Sequence, residues 1–151
     1  EVVDDVINEA VAHVIGLSER DFRLKVPEEL IAIPMDGKMI VQVLINLLNN
    51  AVNHTDPNCP IELSVNKTEG CVEFNVEDGG AGVDPSMKDN LFDAFVTSGK
   101  IGADGKKGVG LGLAICKAFV QAHGGTISAG ESKLGGMLFT FKLPLMEVNN
   151  G

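Results

Sequence analysis

A long, one-sided helix predicted near residues 37–54 is the strongest constraint on what this chain can fold into. Its apolar residues recur at helical spacing on one side: Ile40, Leu44, Leu47, Leu48 and Ala51. The opposite side is a narrow stripe of carboxamides, where solvent-facing helices usually carry Lys and Glu: Gln42, Asn46, Asn50 and Asn53. The apolar side requires a second layer to pack on. The stripe is consistent either with bonds to neighbouring loops or with a site that needs neutral oxygen ligands, such as magnesium shared with phosphates.

The remaining periodicity predicts that second layer. Alternating apolar residues predict strands at 22–26, 30–33, 61–66, 71–77, 126–129 and 138–143, with a hairpin turning at Glu69 and Gly70. Helical spacing predicts helices at 2–15, 37–54 and 111–123, the second capped by Asp36 and the third ended by Gly124. A short amphipathic segment, 87–95, and a polar, glycine-rich segment, 96–107, lie between these elements. The prediction is a single domain over 1–151 of the α+β class: a two-layer sandwich whose mixed, mostly antiparallel sheet is covered by helices on one face.

Charge and cysteine content restrict the partners of the chain. A net charge of −9 disfavours nucleic-acid binding, which needs a basic surface. The three cysteines lack CxxC spacing, which indicates reduced thiols in the cytoplasm rather than a zinc site or disulfides. No apolar run is long enough to span a bilayer, so we expect no membrane contact by this domain and an anchor, if any, outside it.

Two glycine-flanked motifs are candidate ligand contacts. Asp78 ends a predicted strand and is followed by glycines at 79, 80 and 82. Such a carboxylate either accepts the exocyclic amine of adenine or bonds its own turn. Alternating glycines over 108–112 precede the last predicted helix, where bare backbone N–H groups either meet an anion or form a sharp loop. Neither the Rossmann glycine fingerprint nor the P-loop pattern fits this stretch.

Taken in order, the motifs resemble the nucleotide-binding domain of sensor histidine kinases, within the wider Bergerat-fold ATPase group. They are NLLNNA (46–51), DGGAG (78–82), LFDAF (91–95), GVGLGL (108–113), AHGG (122–125) and LGGMLFTFKLP (134–144). Each motif alone is weak, but their order and spacing cover nearly the whole chain. The stretches DGKMIVQVLINLLNNAV and LGLAICKAF are further similar to those of KdpD-type, potassium-responsive sensor kinases.

The resemblance implies ATP and Mg²⁺ as cofactors and gives a role to individual residues. Asn50 would bind Mg²⁺, with Asn46 one turn earlier as a second catalytic residue, and Asp78 would receive the adenine amine. The base pocket and a mobile lid would involve Gly80, Gly82, Phe92 and Phe95, with a lid lysine on the phosphates: Lys100, Lys106 or Lys107. The triphosphate would be wrapped by Gly108, Val109, Gly110, Leu111, Gly112 and Leu113.

Some positions depart from the family's pattern. Asn53 stands where a Lys or Arg often contacts phosphate, and it remains a candidate ligand contact. Met137 and Leu138 follow Gly136, where a Thr commonly helps to bind adenine through water, which leaves Asp78 with less support. An arginine just past the Phe motif is also missing. These departures concern nucleotide affinity rather than the fold.

Position 46 selects among the chemistries of the wider group. Related ATPases and the serine kinases that act as anti-sigma factors carry a Glu there, which deprotonates water or a serine hydroxyl; Asn46 cannot act as that base. A neutral imidazole already carries a free lone pair, so the prediction is transfer of the ATP γ-phosphate to a histidine. A stand-alone serine kinase and a non-catalytic nucleotide sensor remain alternatives.

The acceptor histidine is expected outside this chain. None of His13, His54 and His123 has the flanking residues of a phosphoacceptor helix. The predicted partners are therefore ATP or ADP, a phosphoacceptor-histidine helical domain of the same protein and a downstream response regulator. We expect a cytoplasmic domain within a longer, membrane-anchored protein.

Overall fold

The computed structural model describes residues 1–14, 16–80 and 108–145. Within these ranges the chain forms three α-helices: α1 (Val3–His13), α2 (Gly37–Asn53) and α3 (Gly108–Ala122). It also forms five β-strands: β1 (Phe22–Lys25), β2 (Ile61–Thr68), β3 (Cys71–Asp78), β4 (Thr126–Glu131) and β5 (Met137–Pro144). The predicted segments 87–95 and 96–107 lie outside the described residues.

The strands form one sheet in the order β1-β2-β3-β5-β4. β1 runs parallel to β2, and the other neighbouring pairs are antiparallel. The apolar residues of the sheet and the buried sides of the helices belong to a single core. At its centre Phe74 and Phe141, which are cross-strand partners, stack with ring centroids 4.6 Å apart. The predicted α+β sandwich with a mixed, mostly antiparallel sheet is confirmed.

Helix α2 forms as its sequence predicts. Oδ1 of Asp36 accepts hydrogen bonds from the backbone N–H groups of Lys38 at 3.0 Å and Met39 at 3.2 Å, which satisfies two donors that have no partner inside the helix. The residues buried along the helix are those of the predicted apolar side, together with Val41 and Val43. The carboxamide stripe stays at least partly exposed along the helix.

One predicted strand does not form, and the last helix begins earlier than predicted. Residues 30–33 do not form a sheet strand; Ala32 makes an isolated bridge with Val2. Pro27 and Pro34 flank this segment, and each removes a backbone donor that a longer ladder would use. Helix α3 begins at Gly108, three residues before the predicted start, so the alternating glycines belong to its first turns. At its other end Gly124 has φ +75°, the left-handed conformation that its position predicted.

The described helices include none that is long and apolar enough to cross a membrane. The three cysteines are free thiols, and Cys116 is buried in the core. Burial raises the pKa of the Cys116 thiol to about 12, so it stays protonated at neutral pH.

Candidate functional site

Asp78 is a buried carboxylate at the end of β3, with only 5% of its surface exposed. It is in phase with Val76 and opposite Ile61, so it lies on the face of the sheet that carries the core. Its Oδ1 accepts hydrogen bonds from the backbone N–H groups of Gly80 at 2.9 Å and Met137 at 3.2 Å. No described residue donates to its Oδ2. Among the described residues, one oxygen of Asp78 is therefore held by two backbone donors while the other accepts from none.

Gly136 makes the second of these bonds possible. A side chain at this position would collide with Oδ1 of Asp78, and its Cβ would lie 2.6 Å from the Gly80 nitrogen. The Gly136 N–H itself donates to the Asp78 carbonyl at 3.1 Å. The sequence predicted weak support for Asp78 because Met137 replaces a Thr. In the structure two backbone N–H groups hold Oδ1 of Asp78, and these bonds do not depend on the side chain at 137; the effect of Met137 on nucleotide affinity stays a prediction.

The turn between β4 and β5, which carries Gly136, is anchored by buried acids. Oγ of Ser132 donates to Glu77 at 2.8 Å, and Nζ of Lys133 lies 3.2 Å from Glu62 and 3.8 Å from Glu77. Burial of Glu62 favours its neutral form, but the hydrogen bond and charge of Lys133 and the charge of Lys25 outweigh this and lower its pKa below 4.5. The two carboxylates are cross-strand neighbours, so Lys133 also neutralises their mutual repulsion.

The carboxamide stripe connects α2 to α3. Nε2 of Gln42 donates to Oδ1 of Asn46 at 2.7 Å, and Nδ2 of Asn46 donates to the Gly112 carbonyl at 3.3 Å. Both polar atoms of the Asn46 side chain are thus engaged within the protein. Asn50, one turn later, is partly exposed, and its side chain has no hydrogen bond to another described residue. Asn50 is therefore better placed than Asn46 to offer an oxygen to a ligand.

The first turn of α3 supplies backbone donors. In a helix that begins at Gly108, the N–H groups of residues 108–111 have no partner inside the helix. They point out of the helix N-terminus, where the helix dipole favours negative charge. The contact between Asn46 and Gly112 brings this end of α3 beside the carboxamide stripe.

The opposite end of α2 meets the Asp78 turn. Oγ1 of Thr55 donates to the Ala51 carbonyl at 2.6 Å, and a Cβ built on Gly80 would lie 2.6 Å from the Thr55 methyl carbon. Helix α2 therefore contacts α3 through Asn46, and Thr55, which follows the end of α2, lies beside the residues after Asp78. The amide stripe lies between a helix N-terminus and a buried carboxylate.

Among the predicted site residues, hydrogen bonds link Asn46 to Gly112 and Gly80 to Asp78, and Asn50 lies one turn after Asn46 on α2. Asn53 is on the exposed side of the last turn of α2, whereas Leu113 is buried in the core. For Gly108, Val109, Gly110 and Leu111 the helical backbone is described. The other predicted contacts lie outside the described residues: Gly82, Phe92, Phe95, Lys100, Lys106 and Lys107.

Sequence reasoning gave no site role to Thr55 or Gly136. The Thr follows the predicted α2, and nothing in its neighbourhood signals a contact with a glycine 25 positions later. The pair Gly135-Gly136 at the predicted start of a strand was an available signal, because a glycine there indicates a close backbone approach.

Comparison with known proteins identifies the family to which this chain belongs. A family profile described as "Histidine kinase-, DNA gyrase B-, and HSP90-like ATPase" matches residues 35–147, which include α2, Asp78 and α3. The chain belongs to this family. The family is one of ATP-binding domains, so the resemblance predicted from the motifs is confirmed.

Proteins with similar sequences include several sensor kinases. The sensor protein KdpD of Clostridium acetobutylicum is 41% identical over 145 residues, which are 95% of this chain and 16% of that protein. KdpD of Escherichia coli K12 is 40% identical over 129 residues, which are 85% and 14% of the two chains. The sensor histidine kinase TrcS of Mycobacterium tuberculosis is 33% identical over 152 residues, which are 97% and 30%. The chain thus spans less than a third of the length of these relatives.

Solved structures agree with the sequence relatives. The catalytic domain of histidine kinase ThkA superposes with a TM-score of 0.82 at 27% identity, covering 97% of this chain and 99% of that one. Full-length ShkA in complex with AMPPNP matches with a TM-score of 0.76 at 29% identity, covering 94% of this chain and 30% of that one. The chain is homologous to the ATP-binding catalytic domains of sensor histidine kinases.

Proposed function

We propose that this chain transfers the γ-phosphate of Mg²⁺-ATP to a histidine on a separate helical dimerisation domain of the same protein. The observation that carries the proposal is the carboxylate of Asp78, of which one oxygen accepts two hydrogen bonds and the other accepts none from a described residue. The amide-bearing helix α2 contacts the first turns of α3 through Asn46. A ligand that carries a hydrogen-bond donor at one end and several negative charges at the other matches these features. ATP is such a ligand.

Asp78 would recognise the adenine base. Its Oδ1 is occupied by two backbone N–H groups, so Oδ2 is the oxygen that would accept the exocyclic amine. Guanine presents a carbonyl oxygen at the corresponding position, and two acceptors facing each other leave a buried group without a partner. The site therefore favours adenine over guanine.

The amide stripe and α3 would hold the phosphates. In the described ranges no group of three or more His, Cys, Asp and Glu side chains forms a metal site, so a magnesium ion would depend on neutral oxygens and on the phosphates themselves. The carboxamide oxygen of Asn50 fits this need, with Asn53 one turn further along the same side. When bound, Mg²⁺ supplies charge neutralisation during phosphoryl transfer. The N–H groups at the start of α3 would bind phosphate oxygens.

The acceptor is a histidine because the site holds no base at position 46. Both ends of the Asn46 carboxamide are engaged with Gln42 and Gly112, so this residue fixes α3 against α2 rather than removing a proton. In the transfer a bond from the γ-phosphorus to the histidine nitrogen forms, the bond to the β,γ-bridging oxygen breaks, and ADP leaves with that oxygen. The partners we propose are the phosphoacceptor domain and a response regulator, in the cytoplasm beneath a membrane-anchored sensor.

A melting curve tests the nucleotide site directly. Mg²⁺-ATP at 100 times its dissociation constant should add about 2.7 kcal/mol to the free energy of unfolding. Asp78→Asn places an amide N–H₂ against the adenine amine and should remove most of that shift, whereas Asp5→Asn on α1 should keep it. Transfer to a supplied acceptor-helix domain, lost on brief acid treatment as a phosphorus–nitrogen bond would be, tests the reaction. Acid-stable phosphate on a serine, or no ATP shift in the parent chain, would refute the proposal.

A further inference from the structure

Arg20, which lies outside every motif of the site, clamps the end of α2 and the loop that follows it. Its Nη1 donates to the Val52 carbonyl at 3.2 Å, and its Nη2 donates to the carbonyls of Asp56 at 2.6 Å and Cys59 at 3.2 Å. Nη2 also donates to Oγ1 of Thr55 at 2.5 Å. One guanidinium therefore joins four positions that follow it by 32 to 39 residues.

The guanidinium of Arg20 lies at the C-terminal end of α2, where a positive charge is favourable. The last turn of α2 contains no basic residue of its own, and the Val52 carbonyl is one of the last four in the helix, which lack an intrahelical partner. A cation at a helix C-terminus also complements the helix dipole. The Nε of Arg20 is buried without a hydrogen-bond partner among the described residues, so the side chain stays in place at a desolvation cost.

The clamp fixes the side chain of Thr55. The single hydroxyl proton of Thr55 is donated to the Ala51 carbonyl, and the oxygen accepts from Arg20, so both partners determine the orientation of the side chain. With the hydroxyl held, the methyl group is directed at Gly80, where an added Cβ would lie 2.6 Å from it. The Gly80 N–H is in turn a donor to Oδ1 of Asp78.

We propose that Arg20 is a positioning residue for base recognition, acting through Thr55 and Gly80 on the carboxylate of Asp78. Arg20 does not touch the nucleotide. It sets the place of the Gly80 turn relative to the end of α2, and so sets which oxygen of Asp78 is bonded to the Gly80 N–H and which has no donor among the described residues. This inference rests on the proposed role of Asp78 in binding adenine.

Two pairs of substitutions test whether Arg20 positions the base-binding site or only stabilises the fold. Arg20→Met removes all four hydrogen bonds and keeps a long side chain, and Arg23→Met is the matched control, because Arg23 pairs only with exposed Asp21 among the described residues. Thr55→Val keeps a methyl group toward Gly80 and loses the hydroxyl; Thr55→Ser keeps the hydroxyl bonds and loses the methyl. Each variant is checked for folding by circular dichroism and used below its melting temperature.

The measurement is the ratio of the dissociation constants for Mg²⁺-GTP and Mg²⁺-ATP, obtained by calorimetry. Arg20→Met and Thr55→Val should each narrow the ratio by roughly three- to tenfold, about the effect of one misplaced hydrogen bond. Arg23→Met should leave it unchanged, and Arg20→Lys, which keeps the charge without the planar fork, should restore part of it. A merely structural Arg20 would lower the melting temperature and leave the ratio as in the parent.

Asp78→Asn distinguishes failure of this inference from failure of the proposed function. One outcome is that Asp78→Asn brings the ratio of the two dissociation constants to one while Arg20→Met and Thr55→Val leave it at the parent value. In that case the positioning role is refuted and adenine recognition by Asp78 stands. If Asp78→Asn has no effect on the ratio, the proposed base contact is refuted and the inference falls with it. Should Arg20→Met not fold, Thr55→Val decides alone, since it removes only one hydroxyl.

Discussion

Replacing Gly136 by Ala is the most informative single perturbation of this domain. The new methyl group would occupy space held by Oδ1 of Asp78 and would lie 2.6 Å from the Gly80 nitrogen and 2.7 Å from the Asp78 carbonyl oxygen. Backbone and a buried carboxylate surround it, so no flexible side chain can move aside to accommodate it. The strand must shift.

The size of the effect follows from the bonds that the shift breaks. Three hydrogen bonds converge here: Gly80 N–H and Met137 N–H on Oδ1 of Asp78, and Gly136 N–H on its carbonyl. At about 0.5–1.5 kcal/mol each, their loss lowers the free energy of unfolding by about 2–4 kcal/mol. In a domain of this size that corresponds to roughly 4–16 °C in Tm. The shift also moves Asp78, so the stabilisation by Mg²⁺-ATP should be lost as well.

Gly130→Ala is the matched control within the neighbouring strand. Gly130 is part of β4, pairs with Leu138, and an added Cβ would have nothing within 4 Å. Ala is better than Gly inside regular structure, so this variant should be as stable as the parent or gain about 0.5 kcal/mol. Calorimetric melting of both variants with and without Mg²⁺-ATP is the assay. Equal Tm values and equal ATP shifts for the two variants would show that the close approach at Gly136 is not a constraint.

Three further predictions concern the scaffold. Because folding lowers the pKa of Glu62, its carboxylate stabilises the native state at any pH above the pKa that it has in the unfolded chain. This stability is lost as pH falls through the pKa of Glu62 in the folded state. For Glu62→Gln the free energy of unfolding should therefore fall less steeply below pH 4.5. Cys116, with its pKa raised to about 12, should react with iodoacetamide at mildly alkaline pH only after unfolding. His123 joins the end of α3 to the start of α2, because its Nε2 accepts from the Asp36 N–H at 2.9 Å and its Nδ1 lies 2.8 Å from the Phe119 carbonyl. His123→Ala should lower the free energy of unfolding, measured in urea, by about 1–2 kcal/mol.

Each of these has an outcome that contradicts it. An acid unfolding curve for Glu62→Gln as steep as that of the parent would mean that this carboxylate does not couple to folding. Labelling of Cys116 in the native protein at the rate of the partly exposed Cys59 would contradict its burial. His13 provides the control for His123, because it is exposed on α1 and its ring is hydrogen-bonded within its own helix, to the Glu9 carbonyl. Equal losses at both positions would argue against a tie between the helices.

Local features of the fold were predictable because their causes are local. The apolar periodicity of α2, its cap at Asp36 and the hairpin of β2 and β3 all depend on residues a few positions apart. The same is true of the left-handed Gly124 after α3. The family motifs added the ATP-binding assignment, which no single motif carried.

The sequence by itself determined the class of the fold, the amide-bearing helix and the acid at the end of a strand. Tertiary structure alone decided that residues 30–33 leave the sheet, that Gly136 closes against Asp78, and that Arg20 caps α2 from 32 residues away. Periodicity and capping act within one or two turns of chain. The pairing of distant strands and the reach of a side chain across a loop depend on how all elements pack together, and no local pattern encodes that.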